Sequence, residues 1–190
     1  MIGALPTSVT ANGQEYPLLN TDFRTALVII EAFEDPNLSS QEKAYLLLNG
    51  LIGIDNIPKG TTTDQLKALA EACITYLDGG TTYKSKGTKP KLMDWTQDEQ
   101  LIFSAVNHVA NKELREVSYC HWWTFLGYFN EIHEGLFSNV IGIRQKKAKK
   151  KKLDKVDQEF YASNKEMIDL KKKLTSEEQK YKDELNAKFK

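Results

Sequence analysis

Between Asn20 and Gly80 the chain repeats one pattern three times: a capping residue, a run of amphipathic turns, then a proline or glycine stop. Nothing else in the sequence restricts the fold as much, because helices this short are stable only when their apolar faces bury against one another. "NTDFRTALVIIEAFEDP" sets Phe23, Ala26, Leu27, Ile30 and Phe33 at helical spacing, with Thr21 or Asp22 as the cap and Pro36 as the stop. "SSQEKAYLLLNGLIG" opens with the capping box Ser39-x-x-Glu42 and stripes Ala44, Leu47, Leu48 and Leu51 along one face. "TDQLKALAEACITYLDGG" places Thr63 as cap, a stripe of Leu66, Leu69, Ala70, Cys73, Ile74 and Leu77, and Gly79-Gly80 at the end. After the aperiodic Gly, Thr and Lys-rich stretch 79–93, expected to be a mobile loop, Thr96-x-x-Glu99 reads as another capping box. It opens a fourth helix with Leu101, Ile102, Ala105, Val106 and Val109 buried.

Ahead of these helices, "SVTANGQEYPLL" reads as a hairpin, since Asn12-Gly13 tolerates the positive φ of a type I′ turn and Pro17 ends the second strand or confines it to an edge. Two strands alone are marginal, so the hairpin has to lie on the helices. A fifth helix is expected from about Ser118 to Ile132, then a short element around "LFSNVIGIR". Beyond it the apolar residues thin to Leu153, Val156, Phe160, Tyr161, Met167, Leu170 and Leu174, with Tyr181, Leu185 and Phe189 further on. Helices so sparsely striped need something to dock on. The expected fold is mainly α: a helical body over 1–143 of about five to six helices with a small N-terminal hairpin at about 8–20, and a basic, partly mobile helical arm over 144–190.

The formal net charge of zero conceals a dipolar layout: residues 144–190 carry 16 Lys and Arg against 9 Asp and Glu, which leaves the body with an equal acidic excess. Such an asymmetry steers encounters with an acidic partner or folds the tail back onto its own body. No apolar run reaches the roughly 20 residues of a membrane span, and no basic start precedes an apolar block, so a soluble, unexported chain with no membrane partner is expected. In that setting Cys73 and Cys120 are expected as reduced, buried thiols.

The stretch 119–129, "YCHWWTFLGYF", tempts toward chemistry, but Cys120 and His121 form no CxxC, HxxxH or HExxH pattern with each other or with His108 and His133. Adjacent positions on a helix point about 100° apart and chelate poorly. No nucleophile elbow and no phosphate-cradling GxGxxG or GxxxxGK[ST] loop is present, so no catalytic, metal or cofactor residues are assigned and an enzyme is not expected. Packing explains the aromatics, with His121 hydrogen-bonded to backbone or to a neighbouring helix. The alternative is a binding groove, for which Trp122, Trp123, Phe125, Tyr128 and Phe129 are the candidate protein-binding residues, since aromatics give large contact area with few rotors to freeze. The basic arm's Lys146, Lys147, Lys149, Lys150, Lys151 and Lys152 could release counterions from nucleic acid, yet no aromatics interleave them. A solvated or partner-facing arm is the preferred reading.

Taken in order, "NGQEYPLLNTDFRTAL", "EDPNLSSQEKAYLLLNGL", "WTQDEQLIFSAV", "YCHWWTFLGYFNEI" and "IGIRQKKAKKKKLDKVDQEFY" resemble a family of small siphophage proteins encoded just before the tape-measure protein, the tail-assembly chaperones. The resemblance runs from about Val9 to Tyr161, and its most specific pieces are residues 20–24, "NTDFR", and His121-Trp122-Trp123 with Phe125. It implies a non-enzymatic protein that keeps the tape-measure chain soluble until tail tube protein polymerises around it. The tape-measure protein is then the partner, the tail tube protein a possible second, and several copies of this chain sit on one client. The implied location is the host cytoplasm during phage assembly, with no place in the mature virion. A structural tail component is the alternative, and a nucleic-acid-binding protein using the lysine arm stands behind it.

Overall fold

A computed structural model describes residues 2–81 and 90–188, and most of the loop expected over 79–93, residues 82–89, lies outside the described residues, as does Phe189. The mainly α expectation holds. Strands β1 (Ser8–Ala11) and β2 (Gln14–Pro17) pair antiparallel with Val9 opposite Tyr16, and Asn12 and Gly13 take the positive φ of the hairpin turn, 52° and 73°. Then come α1 (Phe23–Glu34), α2 (Ser40–Leu51), a 3-10 turn (Ile54–Asn56), α3 (Thr63–Leu77), α4 (Glu99–Ala110), α5 (Trp122–Asn130) and α6 (Leu136–Ala148). The segment after the lysine run adds α7 (Lys155–Ser163), α8 (Lys165–Ile168) and α9 (Ser176–Lys188).

The capping signals at the first two helices act as read. Asp22 caps α1 by accepting from the Arg24 N–H, and Ser39 and Glu42 form the reciprocal box on α2. Two caps differ from expectation. On α3 the cap is Thr62, whose hydroxyl accepts from Gln65 N–H while the Gln65 side chain accepts from Thr62 N–H; the box spacing favours Thr62 because its third residue on is Gln65, whereas Thr63 has Leu66 there. Before α4, Thr96 and Glu99 form no box: the Asp94 carboxylate takes the N–H groups of Thr96 and Gln97 and nucleates the preceding turn. On α3 the buried face carries Leu69, Cys73, Tyr76 and Leu77, while Ile74 is exposed. One main apolar cluster joins the hairpin to α1–α5 and reaches Phe137 on α6. The hairpin buries Val9, Ala11 and Tyr16, and its turn is tied to α3 by Asn12 Nδ2 donating to the Gln65 carbonyl at 3.2 Å.

The division expected at 143/144 falls inside α6, and the chain beyond it is not set apart from the body. Val140, Ile143 and Ile168 form a second small core with Leu153, Phe160, Tyr161 and Met167 around it, and Leu101 of α4 packs against both cores. At its edge Arg144 is 5% exposed and Asp98 1%, joined by two hydrogen bonds of 2.6 and 2.8 Å. All five guanidinium N–H groups are engaged: Nε donates to the Ile168 carbonyl, Nη1 to the Leu92 carbonyl and Asp98, and Nη2 to Asp98 and the Met167 carbonyl. The basic tail folds back onto the acidic body through Lys173, which bridges Glu34 at 3.1 Å and Asp94 at 3.7 Å, the same two carboxylates that Lys91 of the body holds at 3.0 and 2.8 Å.

Two outcomes follow from these buried charges. Arg144→Ala strands the Asp98 carboxylate and three carbonyls, and is expected to cost about 3–5 kcal/mol in urea denaturation. Burial alone would raise the Asp94 carboxyl, but the Lys91 ammonium, the Gln97 N–H and Lys173 overcome it and hold the pKa at about 2. Because this folded-state value lies below the unfolded one of roughly 3.9, Asp94 stabilises the fold above that pH and the contribution disappears as pH falls toward 2. Asp94→Asn should therefore flatten the acid limb of the stability profile and leave its slope near neutrality unchanged.

Candidate functional site

The aromatic stretch does not form one continuous helix from about Ser118. The chain stays out of helix until Trp122, because a short antiparallel bridge between His121 and Asp22 ties it to the entry to α1: Phe23 N–H donates to the Cys120 carbonyl at 2.9 Å and Trp122 N–H to the Thr21 carbonyl at 2.8 Å. The Asp22 carboxylate completes the junction, receiving Cys120 N–H at 2.9 Å as well as the N–H of Arg24. Arg24 in turn donates to the carbonyls of Leu114, Arg115 and Val117, which fixes the loop leading into α5. The two sequence marks "NTDFR" and "HWW" are thus two halves of one clamp, a relation that no spacing rule within either segment reveals.

His121 is the N-cap of α5. Its Nδ1 accepts from Trp123 N–H at 3.0 Å, so Nε2 carries the proton and donates to the Pro6 carbonyl at 3.0 Å. Both ring nitrogens are occupied, as the hydrogen-bonded reading of His121 anticipated, and the one free lone pair, on Nδ1, is taken by the Trp123 N–H rather than left for a metal or a substrate proton. Both cysteines are buried, unbridged thiols, again as read. Burial pushes the Cys73 thiol up to about 12, and it raises Cys120 against the opposing pull of the Lys112 ammonium, so neither is disposed to ionise and attack. Among the described residues no group of three or more His, Cys, Asp or Glu could hold a metal ion.

The candidate protein-binding set divides by burial. Trp122 and Phe125 are enclosed: Phe125 stacks on Phe23 with ring centroids 4.8 Å apart and on Trp122 at 5.6 Å, and Phe103 closes on it edge-on. In the folded domain these two are core, and a partner cannot touch them. Trp123, Tyr128 and Phe129 are half-buried, with Phe129 packed between Trp95 and Phe137. The adjacent indoles share a task that the sequence hides: at the C-terminal end of α3, Trp122 Nε1 donates to the Leu77 carbonyl and Trp123 Nε1 to the Tyr76 carbonyl, each at 2.9 Å, the latter as a second bond on an oxygen that also takes the Gly79 N–H. Gly80, at φ +78°, lets the Trp123 ring lie that close, since a β-carbon there would come within 2.9 Å of it.

Two apolar grooves flank this core. One, of about 570 Å³, is lined by Ile30, Leu77, Trp95, Trp123 and Leu126, with Trp122 at its base. The other, of about 700 Å³, lies where α4 meets the link from α5 to α6, with Leu101, Ala105, Val109 and Leu136 along it and Glu131 and Glu134 beside it. Among the described residues no helix is long and apolar enough to cross a membrane.

The lysine block is the end of α6. Lys149 is its C-cap and Lys150 takes the left-handed conformation, φ 53°, while Lys150 and Lys151 N–H groups return to the carbonyls of Lys147 and Lys146. Positive charge complements a helix C-terminus, which accounts for lysines there without any nucleic acid. Lys146 pairs with Asp157 and Lys147 with Asp169, whereas Lys149, Lys150, Lys151 and Lys152 are exposed and meet no acid among the described residues.

Trp122→Ala should cost about 3–5 kcal/mol by denaturant titration, as expected for opening a large core cavity. Trp123→Phe, which deletes one hydrogen bond and only part of a half-buried ring, should cost less, about 1–2 kcal/mol; equal losses at the two positions would contradict this division of the aromatic face.

No curated protein and no solved structure matches the chain. One family model does, described as Bacteriophage Gp15 protein, and it covers residues 1–170, everything from the hairpin through the clamp, the buried Arg144 node and α8. A bacteriophage protein, the chain belongs to the Bacteriophage Gp15 protein family.

Proposed function

We infer that this chain is a non-enzymatic tail-assembly chaperone, which binds the phage tape-measure protein and keeps it soluble while the tail tube polymerises. The observation that carries the reading is the groove lined by Trp95, Trp123 and Leu126 on a body whose cysteines and His121 are locked into packing. A long helical client has apolar stripes to hide, and a groove of about 570 Å³ takes the side chains of only a few helical turns. Contacts of that size are individually weak and replaceable, so a tube subunit can displace them, while many copies along one client supply the hold. The resemblance of the ordered motifs to tail-assembly chaperones supports the same role, which would be carried out in the host cytoplasm during assembly.

Co-expression with the tape-measure protein of the same phage tests this. The client is expected to move to the soluble fraction with the wild-type chain and to stay insoluble with Leu126→Asp, a variant whose Tm is read in parallel to confirm folding. Equal insolubility with and without the wild-type chain refutes the role. Purified virions should contain little or none of this protein by mass spectrometry; a fixed stoichiometric amount there would make it a tail component instead.

A further inference from the structure

The larger groove is open because its walls carry small residues at their centre. On the α4 side it is lined by Leu101, then Ser104 and Ala105, then Val109. On the other side the link from α5 to α6 turns at Gly135, with φ 131°, where an added β-carbon would meet nothing within 4 Å. The depression of about 700 Å³ therefore runs along α4 from Leu101 to Val109, about 12 Å, or a little over two helical turns. Its floor is apolar, and Leu136 at its lip is 45% exposed. Its charge is one-sided. Glu131 and Glu134 stand on the rim, and among the described residues no lysine or arginine lines it and neither carboxylate pairs with any group but the exposed His133, 3.3 Å from Glu131.

We propose that this groove docks a cationic amphipathic helix of another protein, with that helix's large apolar residues in the depression and its flanking lysines or arginines on Glu131 and Glu134. The carboxylates select a basic occupant and repel nucleic acid or an acidic segment. The walls select a helix: they are side-chain faces with no free strand edge, so an extended peptide would bury backbone groups without partners, whereas a helix pairs its own. Two turns of wall match the stripe that apolar residues at i, i+4 and i+7 set on such a helix. The site is distinct from the groove at Trp123 and does not rest on the chaperone reading. Phe129 stands between the two grooves, against Trp95 of one and Phe137 of the other, so a helix docked here leaves the first groove free for a second partner.

The probe is a fluorescein-labelled amphipathic peptide of about four helical turns, with leucines on one stripe and lysines flanking them, beside a twin that carries glutamates in place of the lysines, both read by fluorescence anisotropy. Wild-type protein should bind the lysine peptide, less tightly as NaCl is added, and ignore the glutamate twin. Leu136→Asp and Glu131→Lys/Glu134→Lys should each weaken that binding about tenfold with Tm unchanged. Glu131 and Glu134 are both exposed, so the double variant reads binding without disturbing the core. Leu126→Asp, in the other groove, should bind like wild type. Equal affinity for the two peptides, no binding of either, wild-type affinity in the double variant, or loss in Leu126→Asp instead overturns the proposal. Sedimentation without peptide covers the remaining occupant: a mass that rises with concentration in wild type but not in the double variant gives the groove to a second copy, which also overturns it. The two readings fail separately. A protein that binds the lysine peptide but leaves the tape-measure client insoluble loses the chaperone role alone, and a working chaperone that ignores the peptide loses this site alone.

Discussion

The Arg144 guanidinium, closed in against Asp98, is the contact on which the second half of the molecule depends. Neither charge would survive burial unpaired, since ions drawn out of water lose solvation worth several kcal/mol each. Here every donor on the arginine has an acceptor, and those acceptors come from three stretches of chain: Leu92, Asp98 at the start of α4, and the consecutive carbonyls of Met167 and Ile168. Asp98 also accepts the Asp94 N–H at 2.9 Å, so the turn that opens α4 is set by the same node. The second core of Val140, Ile143 and Ile168 is too small to hold α7 and α8 in place by itself, and this directional lock fixes where it sits.

The first half is organised by a different polar junction with the same logic. Asp22 begins α1 and, through Cys120 N–H, places the residue before the α5 cap; the short backbone pairing between residues 21–23 and 120–122 then lays Phe23 against Phe125. Local capping and tertiary packing are therefore specified by the same few side chains. The sequence marks that resemble the phage tail chaperones most closely are scaffold by this account. In the proposed role the client would instead meet the outer edge of that scaffold, at Leu126 and the groove walls beside the Trp123 ring.

What was legible in the sequence follows from range. The Asn12-Gly13 turn, the Asp22 cap and the Ser39–Glu42 box are settled within a few residues, so spacing reveals them. Helical periodicity found most of the buried faces of α1 to α4, though it set Phe33 and Ile74 inside, where they are exposed, and passed over the buried Ile29, Tyr76 and Phe103; it also extended α5 back to Ser118, because a pairing partner nearly a hundred residues away holds that segment out of the helix. Asp98 sits in a polar stretch, residues 96–100, and Arg144 at the junction of an apolar turn with the lysine run; a buried ion differs from an exposed one only by what surrounds it in space. For the candidate site, the composition announced an aromatic face but not its division: Trp122 and Phe125 turn inward, and Trp123 turns along the rim, because both indole N–H groups are drawn to the end of α3.

That convergence has an optical consequence. All three tryptophans of the protein, Trp95, Trp122 and Trp123, line the same groove, at different depths. Their ultraviolet emission is consequently dominated by this one neighbourhood. A ligand settling there would strip water from the outermost indoles and move the spectrum to shorter wavelength, whereas loss of the fold would move it to longer wavelength. The molecule thus carries an intrinsic, label-free signal that separates occupancy from unfolding by the direction of the colour change.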